Sequence, residues 1–289
     1  MTRTAMSQTP DASLLSGVLV RSPLHLPLLA MRSSLERAAV FRPRGTPAPH
    51  TAFCASPYKT GTTYIAGRFA GCNRVAHEPL HYTTLRHLND TVFFSRRLAH
   101  LGLAFECSGF LANQLATIRA SLPTARVIYL VRPFSEWLPS VVTYFSKLRE
   151  QLHYNYVCRL LFDRITVHPL DRFMSLTGDH QHAVVESLLN WWLAAYEEAM
   201  ADPLCLLTPL DALDERIDEV EDFLHLRADR SVRPWKRAAG TKYLLQPADF
   251  LDLQPYASRI KAVETVTPLS VTPSPAPSER QMITEREAA

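Results

Sequence analysis

One short stretch of the chain has residue types and an order suited to binding an anion. Residues 55–64 read ASPYKTGTTY, so Lys59 and Thr60 precede a single glycine, Gly61, and Thr62 and Thr63 follow it. Glycine lets the backbone turn tightly, and the first N–H groups of a following helix have no acceptor inside that helix. The helix dipole favours negative charge at the same place. The stretch therefore predicts a loop that binds a phosphate or a similar anion.

The position of the lysine argues against an ATPase loop. A Walker-type loop, GxxxxGK[ST], places its lysine directly after the second glycine. Here Thr62 follows Gly61, and Lys59 stands two residues before that glycine. The positions four and five residues before Gly61 hold no glycine either. The anion-binding chemistry is retained, but the anion is not the triphosphate of a Walker loop.

Short apolar runs and helical stretches alternate along the middle of the chain and would position this loop. The predicted strands are 51–56, 73–77, 103–107, 126–131 and 203–208. The predicted helices are the segment from the loop to about Gly71, then 83–101, 111–121, 134–149, 182–201 and 214–226. This alternation predicts a three-layer α/β fold with helices on both faces of a central, mostly parallel sheet. Such sheets bind ligands at the carboxyl ends of their strands, where the loop after strand one lies.

The loop resembles the 5′-phosphosulfate loop of sulfotransferases that use 3′-phosphoadenylyl sulfate (PAPS), whose usual form is PK[ST]GT[TS]. Tyr58 departs from that form, because it is inserted between the proline and the lysine. The family core K-T-G-T-T is kept in order. The resemblance implies that the residues of this core and the next one bind the cofactor: Lys59, Thr60, Gly61, Thr62, Thr63 and Tyr64.

A second stretch, RVIYLVRPFSEWLPSVVTYF (126–145), resembles the other signature of the family, a strand followed by arginine and, eight residues later, serine. Arg132 follows the clearest predicted strand, and its planar guanidinium group is suited to gripping a phosphate. Ser140 adds a hydroxyl from the next helix. The resemblance implies that both bind the 3′-phosphate of PAPS. The alternative is that Arg132 pairs with a carboxylate and Ser140 is a buried helix serine.

A late basic segment, VRPWKRAAGTKY (232–243), could supply the family's loop over the nucleotide. The resemblance implies cofactor-binding roles for Lys236, Arg237 and Gly240. The family has Arg-Lys-Gly together, however, and the glycine is displaced here, so a solvated basic loop is the alternative. The resemblance covers about residues 51–245.

Transfer of a sulfuryl group to a hydroxyl requires a general base, usually a histidine or a carboxylate. Sulfotransferases of phenols and steroids carry a histidine after the third strand, where this chain has Ser108. Carbohydrate, tyrosyl-protein and some bacterial sulfotransferases use a glutamate after the second strand, which implies Glu78 here. Glu106 is the second choice. His77 and His81 flank Glu78 and could bind substrate or alter its pKa.

The remaining chain predicts an extension and Pro-rich linker over 1–50, a sulfotransferase domain over 51–264 and a disordered tail over 265–289. No apolar run reaches the roughly 18 residues of a membrane span, and a cytoplasmic location is expected. The Arg-rich, acid-poor first 50 residues are also typical of an organelle transit peptide. The net charge of +3 is too small to indicate nucleic-acid binding.

These features together predict a sulfotransferase that moves the sulfuryl group of PAPS to a hydroxyl of a small molecule, a glycan or tyrosine, releasing 3′,5′-ADP. Lys59 and Glu78 would be catalytic, and no metal is expected. The alternatives are a kinase with an unusual loop and a non-catalytic nucleotide-binding protein.

The acceptor itself is not identified by the sequence. Segments 79–100 and 146–180 are expected to shape its pocket, and Arg96 and Arg97 to face an anionic acceptor or water. These segments contain aromatic residues suited to a sugar, a phenol or a lipid, and equally suited to a core: Tyr82, Phe93, Phe94, Tyr154, Tyr156 and Phe162.

Overall fold

Five short strands alternate with helices in the computed structural model, which describes residues 25–42, 51–147, 152–233 and 245–265. The strands are β1 (Ala52–Cys54), β2 (Val75–His77), β3 (Phe105–Cys107), β4 (Val127–Val131) and β5 (Cys205–Pro209). The α-helices are α1 (His25–Val40), α2 (Thr62–Ala70), α3 (His81–Arg86), α4 (Thr91–Leu101), α5 (Leu115–Ser121), α6 (Phe134–Lys147), α7 (Leu152–Leu160), α8 (Gly178–Ala201), α9 (Ile217–Leu224) and α10 (Ala257–Glu264). Short 3-10 helices cover Gly109–Leu111, Phe162–Arg164, Leu170–Ser175, Pro247–Asp249 and Gln254–Tyr256.

All five strands run parallel in one sheet with the order β2-β3-β1-β4-β5. Strand β1 lies at the centre, between β3 and β4. The carboxyl ends of parallel strands lie at one edge of a sheet, so the loops that follow these strands meet there. Each strand predicted from the sequence is present, and its ends agree with the prediction to within two residues.

Apolar side chains on both faces of the sheet explain its layers. In β4, Val127, Tyr129 and Val131 belong to one apolar cluster, while Ile128 and Leu130 belong to another. Successive residues of a strand point to opposite faces, so the two clusters lie on opposite sides of the sheet. The first cluster includes side chains of α5, α6 and α8, and the second includes side chains of α2 and α9. The predicted three-layer α/β fold is confirmed.

The helical segment predicted over 83–101 is divided into two helices, α3 and α4. Helix α4 begins after Asp90, whose side chain accepts a hydrogen bond of 2.9 Å from the N–H of Phe93. This is the contact of a helix N-cap, and an aspartate in that position starts a new helix.

Helix α1 lies within the predicted N-terminal extension and packs against α3 and α4. The Thr83 hydroxyl donates to the carboxylate of Glu36, and Ser33 and Val40 are buried. Residues 1–24, 43–50 and 266–289 are outside the described residues, so the transit-peptide alternative, the linker and the tail fall there. No helix in the described ranges is both long and apolar enough to cross a membrane.

Candidate functional site

The loop between β1 and α2 makes a tight turn at the carboxyl edge of the sheet. Gly61 has a φ of 99°, and a Cβ added to it would lie 2.6 Å from Cδ1 of Leu210. Lys59 also has a left-handed backbone, with a φ of 69°, which is uncommon for a residue other than glycine. Strained backbone of this kind costs about 1–3 kcal/mol and clusters at functional sites.

The hydroxyl groups of this loop do different things. Thr60 is completely buried, and its hydroxyl donates to the carbonyl of Pro57 at 2.6 Å. The hydroxyls of Thr62 and Thr63 each lie 3.2 Å from Nε2 of His77. The hydroxyl of Thr60 therefore holds the turn together, while those of Thr62 and Thr63 lie in the first turn of α2, where the backbone N–H groups are oriented outward.

Tyr64, the last predicted cofactor-binding residue of the loop, has an internal partner. Its hydroxyl donates to the carboxylate of Asp214, and its ring packs against the apolar cluster that contains α2 and α9. Asp214 also lies 3.5 Å from the guanidinium of Arg68. The Tyr64 hydroxyl thus ties α2 to the segment after β5.

The second predicted signature lies directly against the loop. Arg132 is buried, and its Nη1 donates to the carbonyl of Lys59 at 2.8 Å. Its Nε lies 3.7 Å from the carboxylate of Glu136, one turn into α6. Ser140 is buried further along the same helix. The structure thus brings the two signatures together, and it also shows the carboxylate contact that the alternative reading of Arg132 requires.

The Lys59 side chain and the start of α6 are both held by other parts of the fold. The Lys59 ammonium lies 3.9 Å from the centre of the Tyr144 ring, which is close enough for a cation–π contact. Tyr144 follows Ser140 by one turn of α6. The N–H of Phe134, at the first residue of α6, donates to the Glu264 carboxylate at 2.9 Å. The ammonium thus lies against a side chain of α6.

Glu78 follows β2 at the same edge of the sheet. Its N–H donates to the carbonyl of Cys107 at 3.0 Å, so the loop after β2 continues along β3. Glu78 and Leu80 have φ values of 50° and 51°, both in the left-handed region. With Lys59, they are three of the four residues other than glycine with positive φ in the described chain. The sequence gives little indication of this left-handed backbone, since Glu78 and Leu80 are neither glycine nor asparagine.

The environment of Glu78 suits a proton acceptor. Burial is the main cause that raises the pKa of Glu78 to about 7, and the charge of Glu106 raises it further. A hydrogen bond from the N–H of Gly109 and the positive charge of Lys59 act in the opposite direction. A carboxyl group whose pKa is close to neutral can accept a proton and later release it.

Glu106, the second choice as base, is enclosed in the core. Both of its carboxylate oxygens accept hydrogen bonds from the guanidinium of Arg97, at 2.7 and 2.8 Å, and both side chains are fully buried. The Ser108 hydroxyl donates to the same carboxylate at 2.8 Å. This ion pair argues against Glu106 as a base. The expectation that Arg96 and Arg97 face an acceptor or water is wrong for Arg97, because its side chain is fully buried. The neighbouring Arg96 is exposed.

The aromatic residues expected around an acceptor divide between core and site. Phe93, Phe94 and Phe162 have no exposed surface and belong to the core, so they do not line a pocket. Tyr82 and Tyr156 contact each other edge to face near His81. The Tyr154 side chain lies outside the described residues, as do the predicted nucleotide-binding residues Lys236, Arg237 and Gly240.

Sequence reasoning missed three contacts of the site. Tyr58 donates or accepts a hydrogen bond with His81, Arg97 donates to the carbonyl of Pro79 at 2.8 Å, and Tyr144 contacts Lys59. The insertion of Tyr58 into the family pattern was the one available signal. The other two depend on contacts between residues far apart in the chain.

Comparisons with known proteins add no relative. No protein-family model matches the chain. A search of curated proteins finds no match either. Within the described residues, no group of three or more His, Cys, Asp or Glu side chains is arranged to hold a metal ion.

Proposed function

We propose that this protein is a sulfotransferase that moves the sulfuryl group of PAPS to an acceptor hydroxyl. The observation that carries the proposal is the meeting of the two signatures, in which Arg132 Nη1 donates to the Lys59 carbonyl at 2.8 Å. Residues 73 positions apart are joined at the carboxyl edge of a parallel sheet, where such folds bind ligands.

The loop supports binding of the 5′-phosphosulfate end. The N-terminus of α2 offers backbone N–H groups and the positive end of a helix dipole. The hydroxyls of Thr62 and Thr63 lie in the same turn, and Gly61 lets the backbone come close to a ligand. Lys59 supplies the charge that would stabilise the leaving phosphate oxygen as the S–O bond breaks.

Arg132 and Ser140 support a preference for a 3′-phosphate. The guanidinium of Arg132 is buried beside the loop, and a desolvated arginine binds phosphate strongly. Its Nε lies 3.7 Å from the Glu136 carboxylate. A 3′-phosphate would compete with this carboxylate for the guanidinium group.

Glu78 supports the role of general base. Its carboxylate would take the proton of the acceptor hydroxyl as the acceptor oxygen forms its bond to sulfur. The raised pKa, about 7, keeps a large fraction of Glu78 ionised at neutral pH while making it a stronger base than an ordinary glutamate. The positive charge of Lys59 lowers that pKa, and both residues follow strands of the same sheet at its carboxyl edge.

Calorimetric titration with 3′,5′-ADP, 5′-AMP and ATP-Mg tests the proposal. We expect wild type to bind 3′,5′-ADP best. Arg132→Ala should lose about tenfold to a hundredfold in affinity for 3′,5′-ADP and clearly less for 5′-AMP, because only the first ligand carries the 3′-phosphate. Arg96→Ala is the matched control, since Arg96 is exposed and the variant should bind like wild type.

Other outcomes would contradict the proposal in distinct ways. Tightest binding of ATP-Mg would favour a kinase. Absence of 3′,5′-ADP binding would leave the loop without a sulfotransferase role. Tight binding of 3′,5′-ADP without breakdown of PAPS on any acceptor would indicate a non-catalytic nucleotide-binding protein.

A further inference from the structure

Tyr58, the residue inserted into the loop, reaches across the site to a histidine. Its hydroxyl lies 2.7 Å from Nε2 of His81, 23 positions later in the chain. The Tyr58 ring is buried, and its backbone carbonyl accepts a hydrogen bond of 2.7 Å from the Trp137 indole. The backbone and the ring of Tyr58 are therefore both fixed, and together they determine the position of the hydroxyl.

The other nitrogen of His81 faces the predicted base. His81 Nδ1 lies 3.2 Å from the Tyr156 hydroxyl and 3.6 Å from Oε2 of Glu78. The imidazole stacks on Phe110 with 5.4 Å between ring centres and 24° between ring planes. The ring is thus fixed in plane and in position by contacts on both nitrogens and on one face.

We infer that His81, held between Tyr58 and Tyr156, is a positioning residue that presents its Nδ1–H to the Glu78 carboxylate and fixes the orientation of that carboxylate. With the Tyr58 hydroxyl as the donor to Nε2, the ring proton is on Nδ1, between the Tyr156 hydroxyl and the Glu78 carboxylate. An N–H donor beside a carboxylate favours its ionised form. The inference deepens the proposed function, because it rests on Glu78 as the base.

Tyr58 also contacts the second donor of Glu78. A Cβ added to Gly109 would lie 2.7 Å from Cγ of Tyr58, so the ring leaves room only for glycine at that position. The N–H of Gly109 donates to the Glu78 carboxylate. One side chain, Tyr58, thereby restrains both groups that orient Glu78.

The other charged and titratable groups around Glu78 are His77, Lys59 and Glu106, and none of them is hydrogen-bonded to the Tyr58 hydroxyl in the contacts described. His77 Nε2 lies 4.0 Å from Oε1 of Glu78 and is also near the hydroxyls of α2. Lys59 and Glu106 act on Glu78 through their charges, and Glu106 is bound to Arg97. Substitutions at Tyr58 and His81 therefore test His81 separately from these neighbours.

The direct test is the pKa of Glu78, measured by carbon-13 NMR of its carboxyl group in the protein without nucleotide. We expect Tyr58→Phe to raise that pKa by about half a unit and His81→Phe by about one unit, because the N–H donor is disordered or lost. His81→Gln keeps an amide N–H and should restore part of the shift. Tyr64→Phe removes a hydroxyl bound to Asp214 and should leave Glu78 unchanged.

An unchanged Glu78 pKa in the folded Tyr58→Phe and His81→Phe proteins would overturn the inference. A shift of equal size in Tyr64→Phe would also overturn it, because the effect would then be general. The Tyr58→Phe variant keeps the buried ring, so it retains the packing that folding requires.

The same variants separate this inference from the proposed function. If 3′,5′-ADP does not bind, the sulfotransferase role falls, yet the carboxyl NMR measurement still decides the role of His81. If PAPS is turned over, the acid limb of the pH–rate profile should shift to higher pH in Tyr58→Phe, with KM for PAPS unchanged. A uniform loss of rate with no movement of that limb would count against a positioning role.

Discussion

Arg97 and Glu106 form a fully buried ion pair with two hydrogen bonds of 2.7 and 2.8 Å. The pair joins α4 to β3, and the same guanidinium group donates to the carbonyl of Pro79 at 2.8 Å. Pro79 follows Glu78 directly. The ion pair therefore fixes the loop that carries the proposed base, although neither member of the pair is placed to meet an acceptor.

Loss of one member of this pair should destabilise the protein strongly. Arg97→Met leaves the Glu106 carboxylate buried without its partner, and we expect the free energy of unfolding to fall by about 3–5 kcal/mol. Urea denaturation followed by circular dichroism measures this. Arg96→Met changes the exposed neighbour on the same helix and should stay within about 0.5 kcal/mol of wild type. Equal stabilities for the two variants would refute a structural role of the pair.

The raised pKa of Glu78 should make stability depend on pH. The folded protein holds a proton on Glu78 up to a pKa of about 7, whereas the ordinary value is 4.5, so wild-type stability falls as pH rises between these values. Glu78→Gln lacks this titration. Its stability relative to wild type should increase by about 3 kcal/mol across the window, at about 1.4 kcal/mol for each pKa unit.

Denaturation curves of wild type and Glu78→Gln at several pH values in that window measure the difference. Parallel pH dependences of the two proteins would contradict the burial of Glu78. Activity should depend on pH in the opposite direction to stability, because Glu78 must be ionised to act as a base. PAPS turnover by wild type should rise as pH increases toward the pKa, and turnover by Glu78→Gln should be low throughout.

Two glycines in the same segment should respond in opposite ways to alanine. Gly61→Ala places a Cβ at 2.6 Å from Leu210 in a backbone with a φ of 99°, so we expect a loss of at least about 1 kcal/mol in stability and weaker 3′,5′-ADP binding. Gly67→Ala lies in the middle of α2, where a Cβ meets no atom within 4 Å. Alanine should stabilise that helix by about 0.5–1 kcal/mol. Thermal unfolding compares the two, and equal effects would show that the turn is not constrained.

Threonines 60 and 63 should separate loop stability from ligand binding. Thr60→Val leaves the buried carbonyl of Pro57 without its hydroxyl donor and should cost about 1–3 kcal/mol of stability. Thr63 is exposed at the start of α2, so Thr63→Val should change stability by less than about 0.5 kcal/mol. Calorimetry should then show weaker 3′,5′-ADP binding for Thr63→Val. If Thr60→Val were as stable as wild type, the Thr60 hydroxyl would have no larger structural role than the Thr63 hydroxyl.

Local patterns were sufficient to predict most secondary-structure elements. The run RVIYLV became β4 because its β-favouring residues are buried on both faces of the sheet. The division between α3 and α4 was missed because apolar periodicity continues through it, and only the capping role of Asp90 marks the break. A single hydrogen bond at a helix start leaves little trace in a hydrophobic pattern.

The contacts of side chains within the site were harder to predict from the sequence. Arg96 and Arg97 are adjacent in the sequence, yet one is exposed and the other is buried against Glu106. Helical rotation determines which of the two faces the sheet, and the partner comes from a separate strand. Likewise, the contact of Arg132 with Glu136 joins residues only four positions apart, but its contact with Lys59 requires β1 and β4 to be neighbours.

The sequence by itself determined the alternation of strands and helices, the turn at Gly61 and the position of Glu78 after the second strand, because these depend on residues close together in the chain. The tertiary structure alone decided that Lys59, Glu78 and Arg132 lie at one edge of the sheet, that Glu106 forms an ion pair with Arg97, and that His81 lies between two tyrosines. Desolvation and charge act through space, so the pKa of Glu78 is set by groups that strand order brings together.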